Sequence, residues 1–202
     1  MLEIVISSRN AEKKRELKTL LKGLGIKILD LTDFPAAPKV KETERTFEAN
    51  ARLKALKIAK FTKRLTLADD SGLVVKALGG LPGIRSARFA GYKASYEDNN
   101  RKLLKLLEGV PRKKRGAKFI SVVALADPGH VIGTARGETS GRITLRPKGT
   151  NGFGYDPVFF SPRFKKTFAE LTASQKNSVS HRGRALKKAR PVILNSLRKA
   201  LS

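Results

Sequence analysis

Apolar residues recur along the chain in two alternating periods, and their order predicts an α/β fold. Residues 2–7 (LEIVIS) form a short, nearly continuous apolar run, the pattern of a buried strand. Leu17, Leu20, Leu21 and Leu24 then return at helical spacing, with Gly23 and Gly25 marking the end of the helix. Residues 26–31 predict a second strand and 35–41 a loop. Thr46 is a potential N-cap for a long helix whose apolar face is Phe47, Ala51, Ala55, Ile58 and Ala59. Residues 65–68 predict a strand running into Asp69-Asp70-Ser71-Gly72. Leu73 to Val75 extend that strand or re-enter the sheet before the Gly-Gly-Leu-Pro-Gly loop at 79–83.

In the second half, Ser95 and Asp98 have the spacing of an acidic capping box, opening a helix through Leu103, Leu104 and Leu107 that Gly109 and Pro111 stop. Residues 118–126 and 131–136 predict two strands joined at Asp127-Pro128-Gly129. A glycine-rich loop at 150–157 (TNGFGYDP) leads into Val158-Phe159-Phe160. Thr172 and Gln175 form another capping box. Ser180 can cap a last helix, which Pro191 should kink. The βα units and the central hairpin predict a mixed α/β sheet. Neither a repeat nor a separating linker interrupts residues 1–202, so one domain is expected.

Composition narrows the classes. No apolar run approaches the roughly 20 residues a membrane helix needs, and the N-terminus lacks the basic segment and cleavage site of a signal peptide. Without cysteine there is no disulfide, thiolate zinc site or cysteine nucleophile. A soluble, cytoplasmic protein is expected. Lys and Arg number 43 against 17 Asp and Glu, a net charge of +26. That excess suits a polyanionic partner, either nucleic acid or a phosphate-rich small molecule, or else a solvated lysine-rich surface. Composition does not separate these, so the positions of the cations matter.

Several cations stand where local rules disfavour them. Lys13, Lys14 and Arg15 crowd the first turns after Asn10, where the helix dipole favours anions by a few tenths of a kcal/mol. They suit a phosphate site built from backbone N–H groups, Ser8, Asn10 and Lys13, the alternative being a lysine-rich surface helix. Lys54 borders the apolar stripe of its helix and either reaches solvent or points at an anion. Ser180-His181-Arg182-Gly183 again opens a helix with a cation and an imidazole. Against these stand Asp69 and Asp70, adjacent carboxylates at the end of an apolar strand. Such a pair suits Mg2+, which takes one or two carboxylates with substrate phosphate oxygens; the alternative is an Asp-Asp-Ser-Gly turn. Phe153-Gly154-Tyr155-Asp156 offers a ring to stack on a purine and a carboxylate to accept from ring N–H groups.

Together these segments resemble the inosine triphosphate pyrophosphatase family. The resemblance is carried by Ser8-x-x-x-x-Lys13-x-x-Glu16, TFEANARLKA, LADDSGLVVKALGGLPGIRSARFAG, GTNGFGYDPVFF, AELT and KNSVSHRGRAL, which span nearly the whole chain. It implies an elongated α/β fold, a mixed β-sheet flanked by helices, with two lobes, an active-site cleft between them and usually a homodimer. It implies Mg2+-dependent hydrolysis of deaminated purine nucleoside triphosphates to the monophosphate and pyrophosphate, with no specific nucleic-acid partner. It assigns Ser8, Arg9, Asn10, Ala11, Glu12, Lys13 and Lys54 to the phosphates, Glu42, Asp69 and Asp70 to the metal, Asp70 to proton acceptance and Ser71 to substrate. Phe153, Gly154, Tyr155 and Asp156 are assigned to the base, with Lys176, His181 and Arg182 closing over it. Two departures stand out. Members often have glycine where Arg9 stands, and Arg9 is less tolerant of positive φ. Many also have glutamate at Ala49, whose absence removes half of a Thr46 capping box.

Overall fold

The computed structural model describes residues 3–199; Leu2, predicted in the first strand, lies outside the described residues. Seven strands are present among them: β1 (Glu3–Ser7), β2 (Lys27–Asp30), β3 (Thr66–Val75), β4 (Gly116–Ala126), β5 (Val131–Ile143), β6 (Phe159–Ser161) and β7 (Lys166–Thr167). The helices are α1 (Ala11–Leu21), α2 (Phe47–Thr62), α3 (Tyr96–Leu106), α4 (Ala173–Val179) and α5 (His181–Lys199). The strands form one sheet in the order β2-β1-β3-β4-β5-β6-β7. β1 is parallel to β2 and β3, which flank it on either side, because each crossover returns the chain to the same end of the sheet before the next strand begins. β6 is antiparallel to β5 and β7. The fold is therefore the mixed α/β sheet that the periodicity predicts. Among the described residues no helix is long and apolar enough to cross a membrane.

The chain forms two compact units. One holds the residues up to Asp70, Ser121–Gly137 and those from Arg182 onward; the other holds Ser71–Ile120 and Glu138–His181. In the first unit β1 is covered on both faces, which is why its sequence shows no polar alternation. Ile4 and Ile6 pack with Leu17 and Leu21 of α1 and Leu186 and Ile193 of α5. Val5, on the opposite face, meets Leu31, Ala37 and Ile58 of α2. In the second unit Phe119, Phe159 and Phe168 form an aromatic nucleus with centroids 4.5 to 5.8 Å apart, ringed by Leu73, Leu103 and Leu107.

Local chemistry sets the predicted helix starts. Ser95 and Asp98 exchange both capping-box bonds, at 3.0 and 3.1 Å, and Thr172 and Gln175 do the same. Thr46 accepts from the Ala49 N–H at 3.1 Å, and α2 has no reciprocal carboxylate at its start. Two expectations need correcting. β3 continues through Asp69 and Asp70 to Val75, so the aspartates lie inside a strand and not at its end or in a turn. β5 runs seven residues past the predicted 136, to Ile143. Its Gly141 is no breaker: a Cβ there would lie 2.5 Å from the Phe160 carbonyl oxygen, so only glycine admits the β6 neighbour. The last helix, α5, contains Pro191 within its span to Lys199.

Asp30, at the end of β2, anchors α1. It accepts from Lys14 at 3.1 Å, Lys18 at 2.7 Å and the Thr32 N–H at 2.8 Å. Burial would raise its pKa, but the Lys18 ammonium, the Thr32 N–H and the Lys14 ammonium hold it well below its ordinary 3.8. A depressed carboxylate stabilises the fold fully above its unfolded value, and that contribution fades as pH falls through the lowered native one. Asp30→Asn is therefore expected to destabilise by about 1–3 kcal/mol at pH 7. Urea midpoints measured across acid pH should show the gap from wild type closing below pH 3.8; a constant gap would contradict this account.

Candidate active site

The joint between β1 and α1 is built by local caps. Asn10 stands at the helix N-cap and accepts from the Lys13 N–H at 2.8 Å, while its own N–H donates to Ser8 Oγ at 3.3 Å. Ala11 and Glu12 fill the first turn, where a carboxylate suits the dipole. Arg9 is not among the residues of positive φ, and its guanidinium donates to the Ala37 carbonyl at 2.7 Å. The bulk at position 9 is thus absorbed by a tie to the loop after β2.

Strand alternation separates the two aspartates. Asp69 is fully buried and accepts from Ser121 Oγ at 2.5 Å on one oxygen. Its other oxygen meets Lys13 Nζ at 3.0 Å and Arg182 Nη2 at 3.2 Å. Arg182 also pairs with Glu16 of α1. Burial would raise the Asp69 pKa, yet Arg182 and Lys13 hold it well below the carboxylate range. Asp70 instead faces Lys54, whose Nζ lies 3.3 Å from Asp70 Oδ1, 2.6 Å from Glu42 Oε1 and 2.7 Å from the Asp69 carbonyl. Burial pushes the Asp70 pKa up; Lys54 and Lys13 oppose this, while Glu42 and Asp69 reinforce it. Lys54 does not reach solvent. It is buried within the apolar stripe of α2, and although burial favours its neutral form, Asp70 and Glu42 keep its pKa raised. Asn50 of the same helix bonds both the N–H and the carbonyl of Glu44, fixing the segment that carries Glu42.

In the second unit the loop 153–156 is held from within. Asp156 accepts from the Phe153 N–H at 2.9 Å and from Lys176 Nζ at 2.5 Å. Lys176 lies 4.9 Å from the Phe153 ring centroid, and Tyr96 approaches the same ring at 5.9 Å. Asn100 donates to the Gly154 carbonyl at 2.9 Å, and buried Tyr155 donates to the Ser86 carbonyl at 2.9 Å. Gly152 has φ +75°, and a Cβ there would sit 2.1 Å from Asp156 Oδ2. His181 is buried and stacks on Phe119 at 4.6 Å. Ser71, half-buried, follows Asp70 on β3. The structure thus gathers Lys13, Lys54, Glu42, Asp69, Asp70 and Arg182 in the first unit. Phe153, Gly154, Tyr155, Asp156 and Lys176 gather in the second.

Comparison with known proteins decides the lineage. The Ham1 family pattern matches residues 4–192. The chain belongs to the Ham1 family. It is 50% identical over 192 residues to a protein of Desulforamulus reducens named dITP/XTP pyrophosphatase, covering 95% of this chain and 96% of that one. A dITP/XTP pyrophosphatase of Geobacter sulfurreducens is 50% identical over 186 residues, 92% of this chain and 94% of the other. Among solved structures, a HAM1 protein from Coxiella burnetii superposes with a TM-score of 0.86 at 41% identity, covering 96% of this chain and all of that one.

In this Ham1 chain the sequence reading missed Ser121, Asn50, Asn100 and Tyr96. Ser121 alone left a visible signal, a single hydroxyl inside the apolar run FISVVALA. Among the described residues no group of three or more His, Asp or Glu gathers as a metal cluster. Two carboxylates nevertheless converge on one ammonium, Glu42 and Asp70 on Lys54. That donor set fits Mg2+, which keeps waters and binds through one or two carboxylates plus substrate phosphates. Both oxygens of Asp69 are already engaged by Ser121, Lys13 and Arg182.

The two aspartates should respond oppositely to neutralisation. Asp70, with a raised native pKa, stabilises the fold only below its unfolded value, and that contribution is lost as pH rises through the native one. Asp69, with a lowered pKa, stabilises above its unfolded value and fails as pH falls through the native one. At pH 7 without metal, Asp70→Asn is expected to keep or raise the melting temperature. Asp69→Asn, which takes a carboxylate from buried Arg182 and from Lys13, is expected to cost about 3–5 kcal/mol. Thermal melts that move in the same direction would refute this division.

Proposed function

We propose that this chain hydrolyses deaminated purine nucleoside triphosphates (ITP, dITP and XTP) to the monophosphate and pyrophosphate, clearing them from the nucleotide pool. The observation that carries the reading is the Glu42–Lys54–Asp70 group, in which half-buried Glu42 and buried Asp70 converge on buried Lys54. It occurs in a chain half identical to proteins named dITP/XTP pyrophosphatase. In this reading Lys13 and Lys54 stabilise charge on the triphosphate. Ser8, Arg9, Asn10, Ala11 and Glu12 shape the phosphate-binding joint, and Ser71 contacts substrate. Glu42 and Asp70 hold Mg2+, which when bound supplies charge neutralisation and a more acidic water. Asp70 accepts the proton of the water that attacks the α-phosphate. Asp69 orients Lys13 and Arg182.

The base is read by hydrogen-bond sign. Hypoxanthine and xanthine present O6 and a protonated N1, whereas adenine presents an amino group and an acceptor. A site built for the first leaves polar groups unmatched by the second, at about 1–3 kcal/mol per group. Phe153 supplies the stacking face and Asp156 the acceptor, with Gly154, Tyr155, Lys176, His181 and Arg182 completing the contacts. The reading takes both units as one nucleotide-binding domain, acting as a cytoplasmic homodimer, supported by the family resemblance.

Assayed with Mg2+, dITP is expected to yield equal amounts of monophosphate and pyrophosphate; orthophosphate with accumulating diphosphate would exclude α-phosphate attack. Asp70→Asn should slow turnover by about 10²–10⁴-fold, and near-native turnover would remove Asp70 from the chemistry. His181→Ala should erode the preference for ITP over ATP, so unchanged discrimination in a folded variant would take His181 out of base reading.

A further inference from the structure

The second unit also contains a cavity of about 470 Å³ whose wall includes Arg112, Arg142, Arg146, Lys148 and Lys165. None of these residues belongs to the site described above. Glu170 is the one carboxylate in the lining, and it accepts from the Thr167 N–H at 2.7 Å, completing a capping box. Among the described residues, Arg112, Arg146, Lys148 and Lys165 form no ion pair. Other cations of this unit do: Lys118 pairs with Glu138, Arg101 with Asp98 and Lys176 with Asp156. Cations gathered round a hollow without matching counter-charge repel one another, and a bound anion relieves that repulsion.

The backbone beneath these cations is held in place. Thr144 Oγ1 donates to the Arg146 carbonyl at 2.8 Å, and Thr167 Oγ1 to the Lys148 carbonyl at 2.8 Å. The Lys148 N–H donates to the Pro157 carbonyl at 2.9 Å. Gly149 presses so closely on Ala169 that a Cβ would lie 2.4 Å from its carbonyl carbon. The Arg142 guanidinium lies over the Phe160 ring, 4.2 Å from the centroid. Lys165 sits at φ +53°, in the left-handed region costly to a side-chain-bearing residue; Lys63, the other such residue described, ends α2. All five cations are exposed, so an anion can reach them from solvent.

We propose that this cavity is a second anion site that takes a small diphosphate-bearing ligand, either inorganic pyrophosphate or the diphosphate of a nucleotide. Its volume lies in the range of small-molecule sites, and a concave pocket of that size suits a compact anion better than an extended nucleic-acid backbone. Leu145 and Ile143 add an apolar wall that a nucleoside could cover.

The test is calorimetric titration of the full chain at fixed ionic strength without Mg2+, using pyrophosphate and ADP as probes. The cavity variant is Arg146→Ser/Lys148→Ser/Lys165→Ser. The control, Lys113→Ser/Arg163→Ser/Lys166→Ser, removes the same charge from exposed positions outside the cavity lining. The control is expected to bind one equivalent of pyrophosphate more than the cavity variant, or to bind that equivalent about 10-fold more tightly. ADP occupying the same equivalent identifies a nucleotide ligand; pyrophosphate binding without ADP identifies the free anion. Both variants should retain dITP turnover within about twofold, since neither alters the proposed catalytic groups. Identical pyrophosphate binding by the two variants would overturn the proposal. So would turnover lost in the cavity variant alone, or a single-stranded oligonucleotide that displaces pyrophosphate from wild type and binds more tightly.

Discussion

The first unit is organised around a buried charge, the Arg182 guanidinium against the Asp69 carboxylate. Arg182 opens α5, Asp69 lies inside β3, Lys13 and Glu16 come from α1, and Ser121 comes from β4. One polar network therefore ties four elements that otherwise meet through apolar side chains. Such a network adds little net stability, because desolvating each ion costs several kcal/mol before pairing returns it. Its physical effect is geometric. Each member is costly to leave unmatched, so α1 and α5 keep the registers that bring their charges to Asp69. Lys13, positioned by the Asn10 cap at one end and by Asp69 at the other, inherits that precision.

The consequence for chemistry follows from the pleat. Neighbouring residues on a strand face opposite sides, so a single Asp-Asp step delivers one carboxylate to the Arg182 network and the other to Lys54. The first is held ionised by two cations and a hydroxyl. The second shares one ammonium with Glu42 and is pushed toward its protonated form. Environment alone shifts the proton affinities of two chemically identical groups in opposite directions. Lys54 could be buried in the α2 stripe only because both carboxylates and the Asp69 carbonyl accept from it.

The second unit fixes its loop by a different means. Asn100, Tyr155 and Asp156 each bond backbone groups, so the 153–156 segment is set by side-chain-to-main-chain contacts instead of ion pairs. Gly152 and Gly154 take positive φ, and the missing Cβ at Gly152 is what lets Asp156 fold back on the Phe153 N–H. Phe153 is left half-buried between Tyr96 and Lys176, an aromatic face beside a cation.

Much of this was legible in the sequence wherever the determining partners lie within a few residues. The buried strand at the N-terminus, the caps at Asn10, Thr46, Ser95 and Thr172, and the hairpin at Asp127 all depend on short-range periodicity or hydrogen bonds. The motifs naming Lys13, Lys54, Asp70 and Phe153 were equally visible, and anomalies such as a lysine on an apolar stripe pointed at them. Tertiary structure decided whatever depends on partners remote in the chain. Asp69 meets Ser121 and Arg182 across 52 and 113 residues, and no local pattern tells it apart from Asp70. The same holds for β3 running on through two aspartates and β5 through Gly141. Burying a charge inside a strand, or admitting a glycine there, is decided by which side chains the neighbouring elements bring to it.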